Sequence, residues 1–409
     1  MSQWQLSNYR QIFQYSAFRA FWLGYSCSIL GDTITHVALT WFVYETTHSA
    51  QALGWLTVCY TGPVILGGLL AGWLLDRFDR QKVMIVDNLL RAAVVTLIPL
   101  LHTWGQLELW HVYVVAAVYG LLMMIPLAGG PALVPALVPK QHLATANALE
   151  TLSFTLGGVI GPPLAGFLIV QLGAPNVVII DVISYLAFAL MLTRVKPLVE
   201  HALPSPNQEQ PYQLSDAFRL LGQNKVLLST TLMFMTFNLG FGAMFVWLPI
   251  FADQTLRGGP ELYGILLGFL AVGEVISSIL AGSLVLSLSL GALICLAQSL
   301  AGMSLGLLFG GRNSGWAIAG LTLFGLFSAP LTIWAQTLRM RIIPEPLRGR
   351  TFALLRTLMQ GTNPLGGVLA GLLLPLLGLP AIIGLSAILI GAPGLLGYRV
   401  KALHAMGRD

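Results

Sequence analysis

Long apolar runs alternate along this chain with short polar interruptions. A helix needs about 20 apolar residues to cross a bilayer. By that measure the pattern predicts twelve spans: 18–44, 52–75, 83–102, 109–136, 146–170, 175–193, 226–251, 261–284, 289–310, 314–338, 353–376 and 379–398. The stretch 275–311 carries no charge and is too long for one crossing, so it divides near Leu284–Leu290. A membrane β-barrel would show alternating segments of about ten residues. The charge-free runs 46–75, 109–139 and 357–398 are far longer and read as helices.

Composition agrees. Hydrophobic residues make up 56% of the 409 and charged residues 9%, against about a quarter charged in soluble domains. So few charges cannot cover a soluble surface of this size. The charges are also placed asymmetrically: 18 of the 21 Lys and Arg fall on the termini and on one set of loops, Arg257 and Arg312 fall on the other set, and Arg91 lies within the third span. Positive residues favour the cytoplasmic side, so both termini are expected there. The net charge of +5 is modest and gives no sign of a nucleic-acid partner. Cys27, Cys59 and Cys295 sit in apolar runs without metal-ligand spacing and read as small buried residues. Met1 to Ser16 has no signal-peptide core, so the first span is expected to be retained.

The longest polar stretch, 194–225, contains Pro204, Pro206 and Pro211 and reads as a cytoplasmic linker between six-helix bundles at 1–193 and 226–409. The halves repeat weakly. Leu70-Ala71-Gly72 returns as Leu280-Ala281-Gly282, the segment Val138–Leu143 as Ile343–Leu347, and Pro163-Leu164-Ala165-Gly166 as Pro364-Leu365-Gly366-Gly367, at offsets of 210, 205 and 201. Parallel repeats of this kind occur in transporters that bind substrate near the midplane between halves.

The hairpin after the second span, Gly72-x-Leu74-x-Asp76-Arg77-x-x-Arg80-x-Lys82, resembles the signature of the major facilitator superfamily. Gly158-x-x-Gly161-Pro162-x-x-x-Gly166 resembles its antiporter motif. Phe18-Arg19-x-Phe21-Trp22-Leu23-Gly24, Gly31-Asp32 and Asp76-Arg77-Phe78-Asp79-Arg80 are most similar to the bacterial branch of macrolide-efflux proteins and the enterobactin exporter, although the family motif usually has Gly where Asp79 stands. The resemblance implies an all-α, twelve-helix transporter in a bacterial cytoplasmic membrane, with two bundles rocking around a central site. It assigns Asp76 to capping the cytoplasmic end of the eleventh helix as a latch, and Arg77 and Arg80 to pairing with acids on neighbouring helix ends. The second-half counterpart, Val285 to Leu290, is uncharged, so the latch is expected on one side only. The motif glycines are expected to serve close packing, and Gly161-Pro162-Pro163 to let the fifth helix kink and pack closely.

Acids within a bilayer are expensive and point to function. Asp32 and Glu274, in spans one and eight, are candidates for binding protons or a cationic substrate group. His36, four residues after Asp32, shares its face. Asp87 and Arg91 are expected to form an ion pair joined to the charged hairpin, Asp181 to be an outer gate or simply solvated, and Glu150 to partner the hairpin arginines. Many drug–proton antiporters carry an arginine shortly before a glycine in helix four; this chain has Tyr119-Gly120 there. The run Gly129-Gly130-Pro131 to Pro135 is expected to be bent or unwound. Trp41, Phe234, Phe237, Asn238, Phe241, Trp247, Trp334 and Gln336 are candidate walls of a drug-sized cavity.

No phosphate-binding loop, metal cluster or nucleophile elbow is present in the sequence. Neither a cofactor, a metal, an ATP-driven step nor an enzyme is expected. An intramembrane acid–base enzyme using Asp32, His36 and Glu274, or a non-transporting sensor, would leave the repeat and the hairpin unexplained. The expected function is export of amphipathic small molecules as drug efflux, coupled to protons, by a monomer. A dedicated metabolite, siderophore or lipid exporter is the alternative.

Overall fold

The computed structural model describes residues 9–196, 214–283 and 288–405. Every predicted span is helical. In order, the helices are α1 (Ser16–Thr47), α2 (Ala50–Thr61), α3 (Pro63–Arg77), α4 (Arg80–Thr103), α5 (Leu109–Leu122), α6 (Met124–Leu137), α7 (Leu143–Leu172), α8 (Ala174–Val177) and α9 (Ile179–Arg194). After the linker come α10 (Leu214–Gln223), α11 (Lys225–Ile250), α12 (Gly259–Ser283), α13 (Leu290–Ser304), α14 (Ser314–Ile342), α15 (Arg348–Gln360), α16 (Thr362–Leu377), α17 (Leu379–Gly397) and α18 (Lys401–Ala405).

Ten of the described helical stretches are long and apolar enough to cross a membrane. The first and eleventh spans fall short of that measure: α1 carries Arg19, Asp32, His36 and several hydroxyl residues, and the eleventh span is divided at Gly361 into α15 and α16, of 13 and 16 residues. Span two breaks at Gly62-Pro63, where proline starts α3. Span four breaks at Met123, and Gly129–Pro135 stay helical inside α6. The bend expected at the glycine–proline run therefore lies a turn or two earlier.

The chain forms two compact units. Unit one is Met1–Glu45 with Cys59–Pro206; unit two is Thr46–Val58 with Asn207–Asp409. In unit one, Tyr25, Ile29, Leu133, Val134, Leu149 and Phe188 form a core joining α1, α6, α7 and α9, and Ala71, Leu75, Val83, Leu122 and Ile125 join α3 to α6. Glycine permits the closest approaches: a methyl group on Gly120 would collide with the Tyr60 carbonyl, and one on Gly67 with the Leu121 carbonyl.

In unit two, α12 packs on α14, α11 on α16 and α17, and α13 on α14 and α17. Residues 50–57 of α2 belong to this unit and lie on α16, where a methyl on Gly54 would stand 2.8 Å from the Gly367 carbonyl. Most of the linker, 197–213, and residues 284–287 of the second-half hairpin lie outside the described residues. The later part of the predicted linker is α10, whose Ala217 and Leu221 pack against Leu354 and Leu355 of α15.

The repeat is visible locally. Pro139 and Pro344, at an offset of 205, each lead a 3-10 turn, Lys140–His142 and Glu345–Leu347. Asp79 and Ser289 each cap the following helix: Asp79 accepts from the Lys82 amide at 2.9 Å, and Ser289 from the Ala292 amide at 3.3 Å.

Candidate functional site

Unit one encloses a connected polar cluster where α1, α4 and α9 meet. Gly24 and Gly31 bring α9 onto α1: a methyl on Gly31 would strike the Asp181 carboxylate, and one on Gly24 would lie 2.5 Å from Phe188. At that spacing Thr35 donates to Asp181 Oδ2 at 2.7 Å, Ser184 to Asp181 Oδ1 at 3.1 Å, and the Tyr185 hydroxyl to Asp32 Oδ1.

Arg91 enters from α4. Its Nη1 lies 3.5 Å from Asp32 Oδ1 and donates to the Tyr185 hydroxyl at 3.3 Å, while Nε donates to Asp87 Oδ1 at 3.2 Å. The guanidinium lies 5.1 Å from the ring centre of Tyr119 and 5.7 Å from that of Tyr185. Tyr119 stacks on Tyr60 at 5.1 Å, and Tyr60 meets His36 at 4.5 Å. Arg91 and Asp87 side chains are 1% exposed and Asp181 is fully buried, but the Asp32 side chain is 26% exposed. Among the described residues, Asp87 Oδ2 and Arg91 Nη2 are buried without hydrogen-bond partners.

The Asp87–Arg91 pair forms at its helical spacing, but its extension runs to Asp32 and not to the charged hairpin. Arg91 lies 11 residues beyond Arg80, about 16 Å along α4, too far up the helix to join those charges. Asp181 is buried against Thr35 rather than solvated. Tyr185, Thr35, Ser184 and Tyr60 join the cluster although the sequence pattern does not single them out. Tyr185 had a usable signal, since it follows Asp181 by four residues and so shares its face.

The hairpin is differently wired from its sequence reading. Arg80 donates to the Ala132 carbonyl at 2.8 Å, and Arg77 lies over Trp73 at 5.7 Å, so a carbonyl and a ring stand where acids were expected. Glu150 does not reach these arginines; it lies beside Gly130 and the Tyr25 hydroxyl. Asp76 is exposed in the last turn of α3 and makes no hydrogen bond or ion pair among the described residues. A carboxylate is unfavourable at that end of a helix. Gly72 has no atom within 4 Å of a would-be side chain, so the packing role falls on Gly67.

In the second motif, a methyl on Gly161 would lie 2.8 Å from Thr33, the residue after Asp32. Pro162 and Gly166 are buried, Gly158 is half-buried, and α7 runs unbroken through both prolines.

In unit two, Glu274 of α12 accepts from Ser328 of α14 at 3.3 Å. A methyl on Gly325 would strike the Leu270 carbonyl, so the acid sits beside a backbone-to-backbone contact. Phe237 and Phe241 of α11 stack with Phe324 of α14 at 5.8 and 6.2 Å, and Asn238 donates to the Phe234 carbonyl at 2.9 Å. Trp334 is half-buried against this region and Gln336 is exposed. Trp41 and Trp247 are buried, 4% and 0% exposed, and Trp247 donates to Ser386 at 3.1 Å.

The Major Facilitator Superfamily family model matches residues 21–366. Among curated relatives, the Staphyloferrin A transporter of Staphylococcus aureus is 23% identical over 373 residues, covering 88% of this chain and 91% of that one. Enterobactin exporter EntS of Escherichia coli is 28% identical, covering 87% of this chain and 84% of its own. Macrolide efflux protein A of Streptococcus pyogenes is 25% identical, covering 87% and 88%. The crystal structure of a bacterial homologue of the iron transporter ferroportin superposes with a TM-score of 0.73 at 17% identity, over 94% of this chain and 98% of that one, a likeness of fold.

Proposed function

Because the chain belongs to the Major Facilitator Superfamily and is a multi-pass membrane transporter, not an enzyme, we propose that it exports amphipathic small molecules by alternating access, with proton entry driving the cycle through the Asp32–Arg91 cluster. The observation that carries this reading is a charge imbalance: two carboxylates, Asp32 and Asp87, pair with one guanidinium, and a third, Asp181, is buried in the same cluster on Thr35 and Ser184. Buried net charge is costly in a low-dielectric setting. Asp32 is the acid with access to water. A proton on Asp32 leaves Arg91 to Asp87 alone; its departure restores the α1–α4 link. The same proton therefore selects between two arrangements of one arginine, which is what coupling to a conformational cycle requires. Glu274, with Ser328, is a second candidate.

Asp76 serves as the latch. Its lack of a partner at the unfavourable end of α3 supports this role, because a donor arriving in another state of the cycle would relieve it. The protein works as a monomer in the bacterial cytoplasmic membrane with both termini inside. A second reading, a dedicated exporter of one metabolite, is favoured by two relatives that are each named for a single compound.

The test is dye accumulation in everted vesicles under an acid-inside gradient, comparing wild type with Asp32→Asn and Glu274→Gln. Loss of gradient-driven accumulation in Asp32→Asn is expected. If both variants accumulate dye as wild type does, the coupling assignment fails. A substrate range confined to one compound would favour the second reading.

A further inference from the structure

Unit two holds a buried cation that the mechanism above does not use. Arg339, in the last turn of α14, is 4% exposed. Its Nη2 donates to the Thr230 carbonyl of α11 at 3.3 Å, its guanidinium lies 4.6 Å from the Phe234 ring centre, and its Nε has no partner among the described residues. Among the described residues no carboxylate pairs with it, whereas Arg91, equally buried, has two. An uncompensated buried charge is strongly unfavourable, so an anion is the natural complement of this group.

A second orphan lies close by. Gln298 of α13 is fully buried; its Nε2 donates to the Met233 carbonyl at 2.9 Å and its Oε1 is without a partner among the described residues. Thr230 and Met233 are three residues apart on α11, about 4.5 Å of helix rise. An unused donor and an unused acceptor are thus anchored one turn apart on the same helix. Beyond Phe234, the half-buried Phe237, Phe241 and Phe245 continue along α11, stacked in part on Phe324.

We propose that Arg339 and Gln298 form the polar end of a ligand site in unit two that takes an aromatic hydroxy acid. The carboxylate accepts from Arg339, the neighbouring hydroxyl donates to Gln298 Oε1, and the ring lies along the Phe237–Phe241 strip. The site refines the export reading, on which its physiological meaning rests; binding itself does not depend on transport.

The experiment is equilibrium dialysis of the detergent-purified full chain against 3-hydroxy-2-naphthoate, 2-naphthoate and 2-naphthamide. Wild type should bind the acid about tenfold more tightly than the amide, as a charge-assisted hydrogen bond would give, and the hydroxy acid more tightly still. Arg339→Gln should erase the preference for acid and leave the amide unchanged; Gln298→Leu should erase only the gain from the hydroxyl. Equal binding of acid and amide by wild type would overturn the proposal, as would equal weakening of both by Arg339→Gln, the mark of a purely structural arginine. If Arg339→Gln does not purify folded, Gln298→Leu decides, and equal weakening of hydroxy acid, acid and amide by that change overturns the proposal. No gradient is used, so a failure here leaves the export reading standing, and a failure of gradient-driven export leaves this result standing.

Discussion

Arg91 of α4 lies over Tyr119 of α5, 5.1 Å from its ring centre. Tyr119-Gly120 is the place where many drug–proton antiporters have arginine and glycine. The fourth span has no arginine there, but a guanidinium occupies the neighbourhood all the same, delivered from the third span and held by Asp87. Losing the side chain from one helix is therefore not the same as losing the charge from the site.

Removing that charge should be costly. Arg91→Met leaves Asp32 and Asp87 without their shared cation, and breaking a buried pair from one side costs about 3–5 kcal/mol. Thermal unfolding in detergent should show a large loss for Arg91→Met. The double variant Asp87→Asn with Arg91→Met should recover part of it, because fewer buried charges then lack a partner. A double variant no better than the single would show that the loss is one of packing.

Asp32→Asn separates coupling from binding. The amide still accepts from Tyr185 but cannot exchange a proton. Gradient-driven transport should be lost, while substrate exchange at equal pH on both sides persists. Loss of exchange as well would place Asp32 in substrate binding instead.

The two hairpin aspartates should behave differently. Asp79 caps α4 through a hydrogen bond that a hydroxyl can also accept, so Asp79→Ser should leave both stability and transport near wild type. Asp79→Ala should destabilise by about 1 kcal/mol. Asp76→Asn should leave the inserted protein intact and cut transport severalfold, measured as initial rates normalised to membrane content. Full activity would remove the latch.

Glycines that look alike in sequence should also part. Gly31→Ala pushes a methyl into Asp181 and Ser184, an overpacking of the kind that costs about 1–3 kcal/mol. Gly72 faces open space, so Gly72→Ala should raise the melting temperature slightly, since alanine is the better helix former by about 1 kcal/mol. A Gly72→Ala protein that is stable but inactive would locate the motif's glycine in another state of the cycle.

The helices and both proline-led turns could be read from the sequence because hydropathy measures how long a crossing is, and proline and cap residues mark where it starts. What hydropathy does not report is how each helix is rotated about its axis. Asp32, Asp87, Arg91 and Asp181 were each visible as expensive residues, but that Arg91 turns toward α1 and away from the hairpin depends on Gly24 and Gly31 admitting α9, a contact 150 residues long in sequence terms. For the same reason Glu150 was misplaced: it lies beside Gly130 and Tyr25, on other helices, and not at the hairpin arginines. The break at Met123 does carry a local mark, Pro126 three residues on, which has no amide to bond back to the Leu122 carbonyl; the bend was expected instead at the later glycine–proline run.

Asp79 and Ser289 stand 210 residues apart, the offset of the two Leu-Ala-Gly segments, and each holds the first turn of the helix after it. One does so with a charge and the other with a hydroxyl. Initiating the helix and carrying electrostatics are therefore separable traits at this position, and the chain contains its own control: one half presents the hairpin with its charges, the other presents the same helix start with a neutral cap. Charged residues grafted beside Ser289, or neutral ones beside Asp79, would test regulation without first having to rebuild the fold.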